Sequence, residues 1–437
     1  MTTLKTNDGG QPALVRLFLG IGFQKIVALG SALAVSIFLA RTLGPENYGL
    51  YVFVSTFIPI GALLVSGGLP QLLTREIAKA LHNEDGHNFW KTHRLTWRWV
   101  LASSLLIAAI GFAGYLAPGL ENRWILIGLA LLAVPFVSFE AIGSGFLKGF
   151  GKPNLSEMPK QVVQPLFFLL SIGLLVTNDA ITVHNAIVAQ IIAAAIAAGV
   201  SLSLMSSNLP GNTPPRPLTS EEIDNESSNI WRVALFTFGL IALLNNFNTQ
   251  VAVLTLGFLG LETDAGAMRI AERAGQLIVM PLAIVNMIIS PKLVQAFEQR
   301  DTTELQRIAR SAAILSFLIT LPAAGILWLY GDLLIEVTFG AAYIERALPA
   351  VVIIATGQVL SAFLGSVWPL LTMTGNERAA LGGLAIAFAT NIILCILLAP
   401  TYGATGAAFA AAASLVICKL IFSLKIRELL GVNSRLL

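Results

Sequence analysis

Leu259–Lys292, LGLETDAGAMRIAERAGQLIVMPLAIVNMIISPK, is the stretch on which the fold turns. It is apolar enough to cross a bilayer, yet it holds Arg269, Glu272, Arg273 and Gln276. Their i, i+3, i+4, i+7 spacing stacks them on one helix face, and the other faces are Ile, Leu, Val, Met and Ala. An ionisable group at the centre of a spanning helix costs about 2.5–3.5 kcal/mol, so the stripe should face other helices or water and form a cavity wall. A competing reading starts from Pro291 and Lys292 at one end of the helix. Counting back a span of about 20 residues puts Arg269 at the opposite membrane surface and Arg273 about one turn inside, within snorkelling reach of the headgroups, with Gln276 deeper.

The rest of the chain favours spanning helices. Of 437 residues, 56% are hydrophobic and only 12% charged, and the mean hydropathy of +0.78 lies far outside the range of soluble domains. An all-α polytopic membrane protein is expected. The net charge of +3, with its basic residues spread among short loops, argues against nucleic-acid binding. Cys395 and Cys418 fall inside apolar helices, which indicates neither a disulfide framework nor a metal site. The first dozen residues are polar and the apolar run after them has full span length without an A-x-A site, so the first helix is expected to be an anchor. His82, His87, His93 and His184 are scattered in loops. Lys148–Lys152 has the look of a phosphate loop, but Phe146 stands where such a loop needs Gly and Pro153 where it needs Ser or Thr. No ATP site, metal, cofactor or soluble catalytic domain is therefore expected, and the chain is not expected to be an enzyme.

Apolar segments of spanning length occur at about 13–40, 48–69, 97–117, 124–147, 161–178, 182–205, 230–257, 266–291, 309–330, 347–373, 379–399 and 404–425, roughly twelve helices. The fifth is expected to break near Pro165, and the tenth contains Pro369. Arg75, Lys79, Lys91, Arg94 and Arg98 follow helix two, Lys148, Lys152 and Lys160 follow helix four, and Lys292, Arg300, Arg307 and Arg310 follow helix eight. The alternate loops hold only Arg41, Arg123 and Arg346, so the positive-inside rule makes both termini cytoplasmic. Trp97, Trp99, Trp124, Trp231 and Trp328 fall near helix ends, as an aromatic belt requires. Ser206–Asn229, rich in Pro and then in Glu, reads as a cytoplasmic linker (206–229) between six-helix lobes at 1–205 and 230–437. The lobes resemble each other: Leu43–Gly49, LGPENYG, corresponds to Leu259–Gly266, and Phe150–Asn154 to Thr374–Arg378. Six helices separate equivalent points, which gives a parallel repeat about an axis along the membrane normal, with a substrate site between the repeats.

Phe38–Tyr51, FLARTLGPENYGLY, and Gly68–Glu76, GLPQLLTRE, resemble the polysaccharide and O-antigen flippase family of the multidrug/oligosaccharidyl-lipid/polysaccharide exporter superfamily. So do Ala267–Ala271 running on to Pro281 and Pro291, Leu371–Arg378, LTMTGNER, and Pro400–Ala408, PTYGATGAA. The motifs are short, but they cover nearly the whole chain in the family's order. The resemblance implies a two-lobed flippase of the bacterial cytoplasmic (inner) membrane. It would move a polyprenyl-diphosphate-linked oligosaccharide from the inner to the outer leaflet by alternating access, for surface polysaccharide biosynthesis. Polysaccharide polymerases and glycosyltransferases are the protein partners it implies, beside membrane lipids.

Such a substrate needs fixed positive charge for its diphosphate, for which Lys25, Arg41, Arg269 and Arg273 are candidates. Lys25 and Glu140, at comparable depth, form either a neutral structural pair or a coupled pair that opens on substrate or proton arrival, and Glu140 and Glu272 are the carboxylates available for charge pairing or ion coupling. Sugar recognition needs amides and hydroxyls, and helix seven offers Asn245, Asn246, Asn248, Thr249 and Gln250 near the midplane, with Gln276 on helix eight. Gln161, Gln164, Asn286, Gln358 and Asn391 are secondary candidates, each readable as an interhelical hydrogen bond. Gly143, Gly145 and Gly149, with Gly22 and Gly30, read as close-packing or hinge positions. Two rival functions remain: an ion-coupled small-molecule antiporter, which should show a deep carboxylate in an apolar pocket, and a scaffold of a glycan-assembly complex with no transport cycle.

Overall fold

The computed structural model of the protein describes residues 10–83, 85–117, 119, 121–209, 227–299, 301–365, 371 and 377–430. Every regular element among these residues is helical. In chain order they are α1 (Gly10–Ser55), α2 (Phe57–Ser66), α3 (Leu69–His82), α4 (Gly86–Leu116), α5 (Asn122–Leu131), α6 (Val134–Gly149), α7 (Pro153–Met158), α8 (Gln164–Thr177), α9 (Val183–Ser207), α10 (Ser227–Phe258), α11 (Glu262–Glu298), α12 (Thr302–Thr338), α13 (Ile344–Phe363) and α14 (Glu377–Leu430). A π turn, Pro159–Val163, joins α7 to α8, and a 3-10 turn, Ala341–Tyr343, precedes α13.

Among the described residues eight helical stretches are long and apolar enough to cross a membrane. Two of them, Gly20–His82 and Ala380–Leu429, run to 63 and 50 residues, about two to three times a span. Each contains a break: Gly44 at φ 76°, ψ 171° inside α1, and Gly403 at φ 53°, ψ −132° inside α14. At Gly44 the chemistry is local. A glycine takes the positive φ that ends one helix, and Pro45, with φ already fixed near the helical value, starts the next. The chain folds back there, because Tyr343 touches both sides of the break: its hydroxyl donates to the Ala40 carbonyl at 2.9 Å, and its ring meets Tyr48 edge to face at 6.1 Å.

The expected internal repeat is visible in the backbone. Gly44 at φ 76° has its counterpart in Gly260 at φ 74°, and Gly119 at φ 83° in Gly340 at φ 107°. In the third such pair Asp179 at φ 50° corresponds to Gly403 at φ 53°. Helices before residue 209 pack largely among themselves, α6 lying against α3 and α9 and α4 against α5. Those after 227 do likewise, with α10 on α14, α12 on α13 and α11 on α13, while α1 runs along α11 and joins the two sets. Most of the 206–229 linker reading falls outside the described residues.

Tight packing is carried by small residues, as expected where lipid gives helices no hydrophobic reason to associate. A Cβ on Gly143 would lie 2.3 Å from Ser201 Oγ, one on Gly145 2.9 Å from Pro70 Cα and one on Gly149 2.7 Å from Ile77 Cβ. Gly22 and Gly30 differ from expectation, since nothing lies within 4 Å of a Cβ at either position. They face open space, so helix approach is not their role. The basic segment after helix two is itself a helix, α3: Leu69, Leu72, Leu73, Ile77 and Ala80 are buried along one face and Arg75 and Lys79 lie outside. The fourth span is divided between α5 and α6, where Pro135 near the start of α6 lacks the N–H that would continue the helix. Pro165 does not break the fifth span. The π turn just before it absorbs the irregularity and the helix continues. Large apolar side chains such as Leu105, Leu106 and Ile110 on α4 and Leu318, Leu329 and Val337 on α12 point outward, as a lipid-facing surface requires.

Candidate functional site

Three helix faces with α-helical spacing enclose a cavity of about 620 Å³ between the two sets of helices. The first half of α1 contributes Lys25, Ala28, Leu29, Ala32, Ser36 and Leu39. The part of α1 after Gly44 contributes Tyr48, Tyr51, Val52 and Ser55, and α11 contributes Arg269, Arg273, Gln276 and Met280. The π turn and α8 close a further wall with Lys160, Gln161, Gln164 and Phe168, α9 adds Gln190, and α10 adds Gln250. The size suits a ligand of several sugar rings or smaller.

The charge stripe of α11 therefore faces the cavity and not lipid. Arg269 Nη1 donates to Glu272 Oε2 at 2.8 Å, and its Nη2 donates to Thr56 Oγ1 at 3.2 Å and Gln250 Oε1 at 3.3 Å. Both partners of the ion pair are 16% exposed, and Glu272 itself does not line the cavity. Arg273 donates from Nε to Ser36 Oγ at 3.3 Å and from Nη1 to Gln276 Oε1 at 3.0 Å, and forms no ion pair among the described residues. Among the described residues four cations (Lys25, Lys160, Arg269 and Arg273) line the cavity, and no Asp or Glu does. In a low-dielectric site an uncompensated guanidinium attracts phosphate far more strongly than in water, and its planar fork holds two oxygens at once.

Beside Tyr48 and Arg269 of the lining, α1 and α11 come together backbone to backbone. Gly49 packs so tightly on the next segment that a Cβ there would lie 1.7 Å from the Glu262 carbonyl oxygen, and a Cβ on Gly266 would lie 3.4 Å from Gly49 Cα. These are the two glycines that the repeat equates, so the approximate two-fold axis passes between them. Phe53 fills the space over Gly257, and Phe53, Phe57 and Phe258 stack edge to face around it.

Several sequence expectations are corrected. Arg41 does not line the cavity. Its Nε donates to the Thr338 carbonyl at 2.7 Å and its Nη2 to the Val337 carbonyl, so it caps the C-terminal end of α12, where orphan carbonyls attract a cation. The α10 amides do not form a sugar-reading face: Asn245, Asn246 and Thr249 are exposed outside the cavity lining, and the last two bond carbonyls of their own helix. Asn248 accepts from Asn391 Nδ2 at 2.9 Å and from Ser414 Oγ at 3.5 Å, which makes it a helix-to-helix link. Only Gln250 of that group lines the cavity. No ion pair joins Lys25 to Glu140 among the described residues. Glu140 lies outside the cavity lining, with Ser201 Oγ of α9 donating to its backbone carbonyl at 3.1 Å, while Lys25 lines the cavity. Glu140 is 3% exposed and its Oε1 has no hydrogen-bond partner among the described residues.

Lys25, Arg269, Arg273, Gln276 and Gln250 are thus brought together, with Gln161 and Gln164 from the secondary group. Gln358 lies outside the lining and Asn391 bonds Asn248, while the Asn286 side chain lies outside the described residues. Lys160, Gln190, Tyr48 and Tyr51 were missed. Tyr48, Tyr51, Val52 and Ser55 recur at helical spacing within the second apolar segment, 48–69, the signal that could have found the tyrosines. Also missed was Asp264, which accepts from Arg346 Nη1 at 2.6 Å and from the Ala404 backbone N–H at 3.0 Å. It thereby ties α11 to α13 and to the break in α14.

Comparison with known proteins agrees with this architecture. A family model described as "Polysaccharide biosynthesis protein" matches residues 17–297. A Shigella flexneri protein named "Putative O-antigen transporter" is 25% identical over 320 residues, which cover 70% of this chain and 72% of that protein. An inward-facing multidrug resistance MATE family transporter of the MOP superfamily superposes with a TM-score of 0.72 at 16% identity, covering 92% of this chain and 94% of the other. The lipid II flippase MurJ, in an inward closed conformation, gives 0.72 at 15% identity, with 94% and 87% covered. At these identities the two structures speak to the fold alone.

Proposed function

The chain belongs to the polysaccharide biosynthesis protein family, and from that premise we propose that it is a flippase carrying a polyprenyl-diphosphate-linked oligosaccharide across a bacterial cytoplasmic membrane. One observation carries the reading. A cavity between two like-built helix sets is lined, among the described residues, by four cations and no carboxylate, and Arg273 in it makes no ion pair within 4 Å. A diphosphate supplies the missing anion. The isoprenoid tail can stay in lipid while the polar head occupies the cavity, so the protein need shield only the head from the bilayer.

The positive-inside rule puts the Gly44 end outward and Lys160 toward the cytoplasm, so the head is taken up from the cytoplasmic side. In this reading the lobes 1–205 and 230–437 rock against each other, and release outward requires the Gly49–Gly266 contact between α1 and α11 to part. No bond is made or broken in the cycle. The name of the Shigella relative and the fold shared with a lipid II flippase support the same substrate class. Glycan polymerases and glycosyltransferases would supply and consume the cargo. A drug antiporter fits less well, because the cavity offers no carboxylate for a cationic compound.

Display of surface glycan in a bacterium that depends on this chain for export tests the proposal. Arg273→Ala should lower display tenfold or more at equal membrane abundance, since removing one partner of a buried charge contact costs about 2–5 kcal/mol. Arg273→Lys should retain part of it. Wild-type display by Arg273→Ala would refute the reading.

A further inference from the structure

The cationic residues explain how a diphosphate is held but not how one glycan is told from another. The wall opposite α11 has a different chemistry. Gln161, Gln164 and Gln190 converge on the cavity from the π turn, α8 and α9, facing Tyr48 and Tyr51 of α1. Uncharged amides concentrated on one wall are unusual inside a spanning bundle, where a single amide usually bonds a neighbouring helix. Here the bonding capacity is only partly used. Gln190 Oε1 accepts from Tyr51 Oη at 3.1 Å, and Gln161 Nε2 donates to Glu157 Oε2, but the Gln161 Oε1 atom is buried without a partner. The hydroxyl of Tyr48, a side chain only 1% exposed, is likewise buried, beside Ser36 but with no hydrogen bond of good geometry among the described residues. Buried polar atoms are satisfied almost without exception, so these two orphans just beneath the wall, with Gln164, which lines it and makes no side-chain hydrogen bond among the described residues, leave bonding capacity that a ligand takes up once the side chains turn.

We propose that Gln161, Gln164, Gln190, Tyr48 and Tyr51 form the glycan-selecting subsite of the cavity. It takes a sugar rich in hydroxyl and N-acetyl groups and without a free amino group. The proposal rests on the flippase reading above. A carboxamide offers a donor and an acceptor side by side, which matches a vicinal diol or an acetamido group. The tyrosines are 1% and 7% exposed, so they back the amides from behind, Tyr51 Oη fixing Gln190, and do not offer an open stacking face. An ammonium-bearing sugar meets Lys25, Lys160, Arg269 and Arg273 on the cavity surface, where no described carboxylate lies, and is disfavoured by that excess of positive charge. The α10 amides, which sequence spacing favours for this role, are turned away from the cavity.

The test is binding to the purified full chain of farnesyl diphosphate, alone and joined to N-acetylglucosamine, galacturonic acid, a 6-deoxyhexose or glucosamine. The readout is the affinity ratio of each glycosylated probe to bare farnesyl diphosphate. In the wild type at least one of the first three should gain about tenfold, and glucosamine should not. In Gln164→Leu with Gln190→Leu that ratio should fall to about one, because a site built to bond a hydroxyl loses discrimination when its polar group goes. Gln164→Glu, which keeps the shape of the side chain, should lower the ratio most for galacturonic acid. Arg273→Ala should weaken every probe and leave the ratio standing. The subsite is refuted if no sugar adds affinity, if glucosamine is favoured, or if the ratio survives in the double variant. If bare farnesyl diphosphate binds Arg273→Ala as well as wild type, the diphosphate reading fails instead, and the ratio still reports on the glycan wall.

Discussion

Replacing Gly49 by alanine should open the cavity at the contact between α1 and α11. The added Cβ would lie 1.7 Å from the Glu262 carbonyl oxygen, 2.3 Å from its carbonyl carbon and 3.1 Å from its Cα. An ordinary C···O contact is about 3.3–3.6 Å, so the two segments must separate by roughly 1.6 Å. All three atoms are backbone, and no rotamer change relieves the clash. Overpacking of this kind costs about 1–3 kcal/mol, a factor of about 5 to 140 in the population of the close-packed form. Ser55, which lines the cavity and whose hydroxyl bonds only its own helix, is a suitable reporter position as Ser55→Cys. The native Cys395 and Cys418 are buried. A membrane-impermeant thiol reagent added on the Gly44 side should label the reporter severalfold faster in Gly49→Ala. Gly266→Ala should act in the same direction but more weakly, its Cβ lying 3.1 Å from Tyr48 Cδ1, and Gly22→Ala, with nothing within 4 Å, should leave labelling at the starting rate. Equal labelling in all three, at equal membrane abundance, would show that the glycine contact does not hold the cavity shut.

Two further outcomes follow from the polar contacts. Arg269→Ala leaves Glu272 uncompensated and should lower thermal stability by about 3–5 kcal/mol, whereas Arg269→Met with Glu272→Leu should recover most of the loss; a double variant no more stable than the single would contradict the pairing at 2.8 Å. Gly403→Ala forces a side chain into a left-handed backbone, worth about 1–2 kcal/mol, and puts its Cβ 2.4 Å from Asp264 Oδ1. Its melting temperature should fall, and an unchanged melting curve would argue against the turn geometry.

The architecture was legible because membrane folding leaves few alternatives: apolar length, Gly44 with Pro45, and the equated glycines suffice to give the helices and their repeat. The α11 stripe was legible too, because charge at i, i+3, i+4 and i+7 cannot face lipid. What periodicity cannot supply is the identity of the neighbour. Asn248 and Gln250 lie two positions apart on α10, yet one turns to α14 and the other to the cavity. Arg41 lies in α1 just before the Gly44 break, and its partner, the end of α12, is nearly 300 residues away in sequence and leaves no local trace. Lys160 read as a topology marker, and only the π turn at Pro159–Val163 shows that it reaches the cavity. Glutamines looked interchangeable with other interhelical amides until three of them met on one wall.

Leaflet transfer in proteoliposomes tests the central claim most directly. With the purified chain reconstituted, a labelled polyprenyl-diphosphate-linked oligosaccharide should move between leaflets faster than in protein-free vesicles, and Arg273→Ala should slow that movement tenfold or more. Movement no faster than in empty vesicles, or undiminished in Arg273→Ala, would contradict the account.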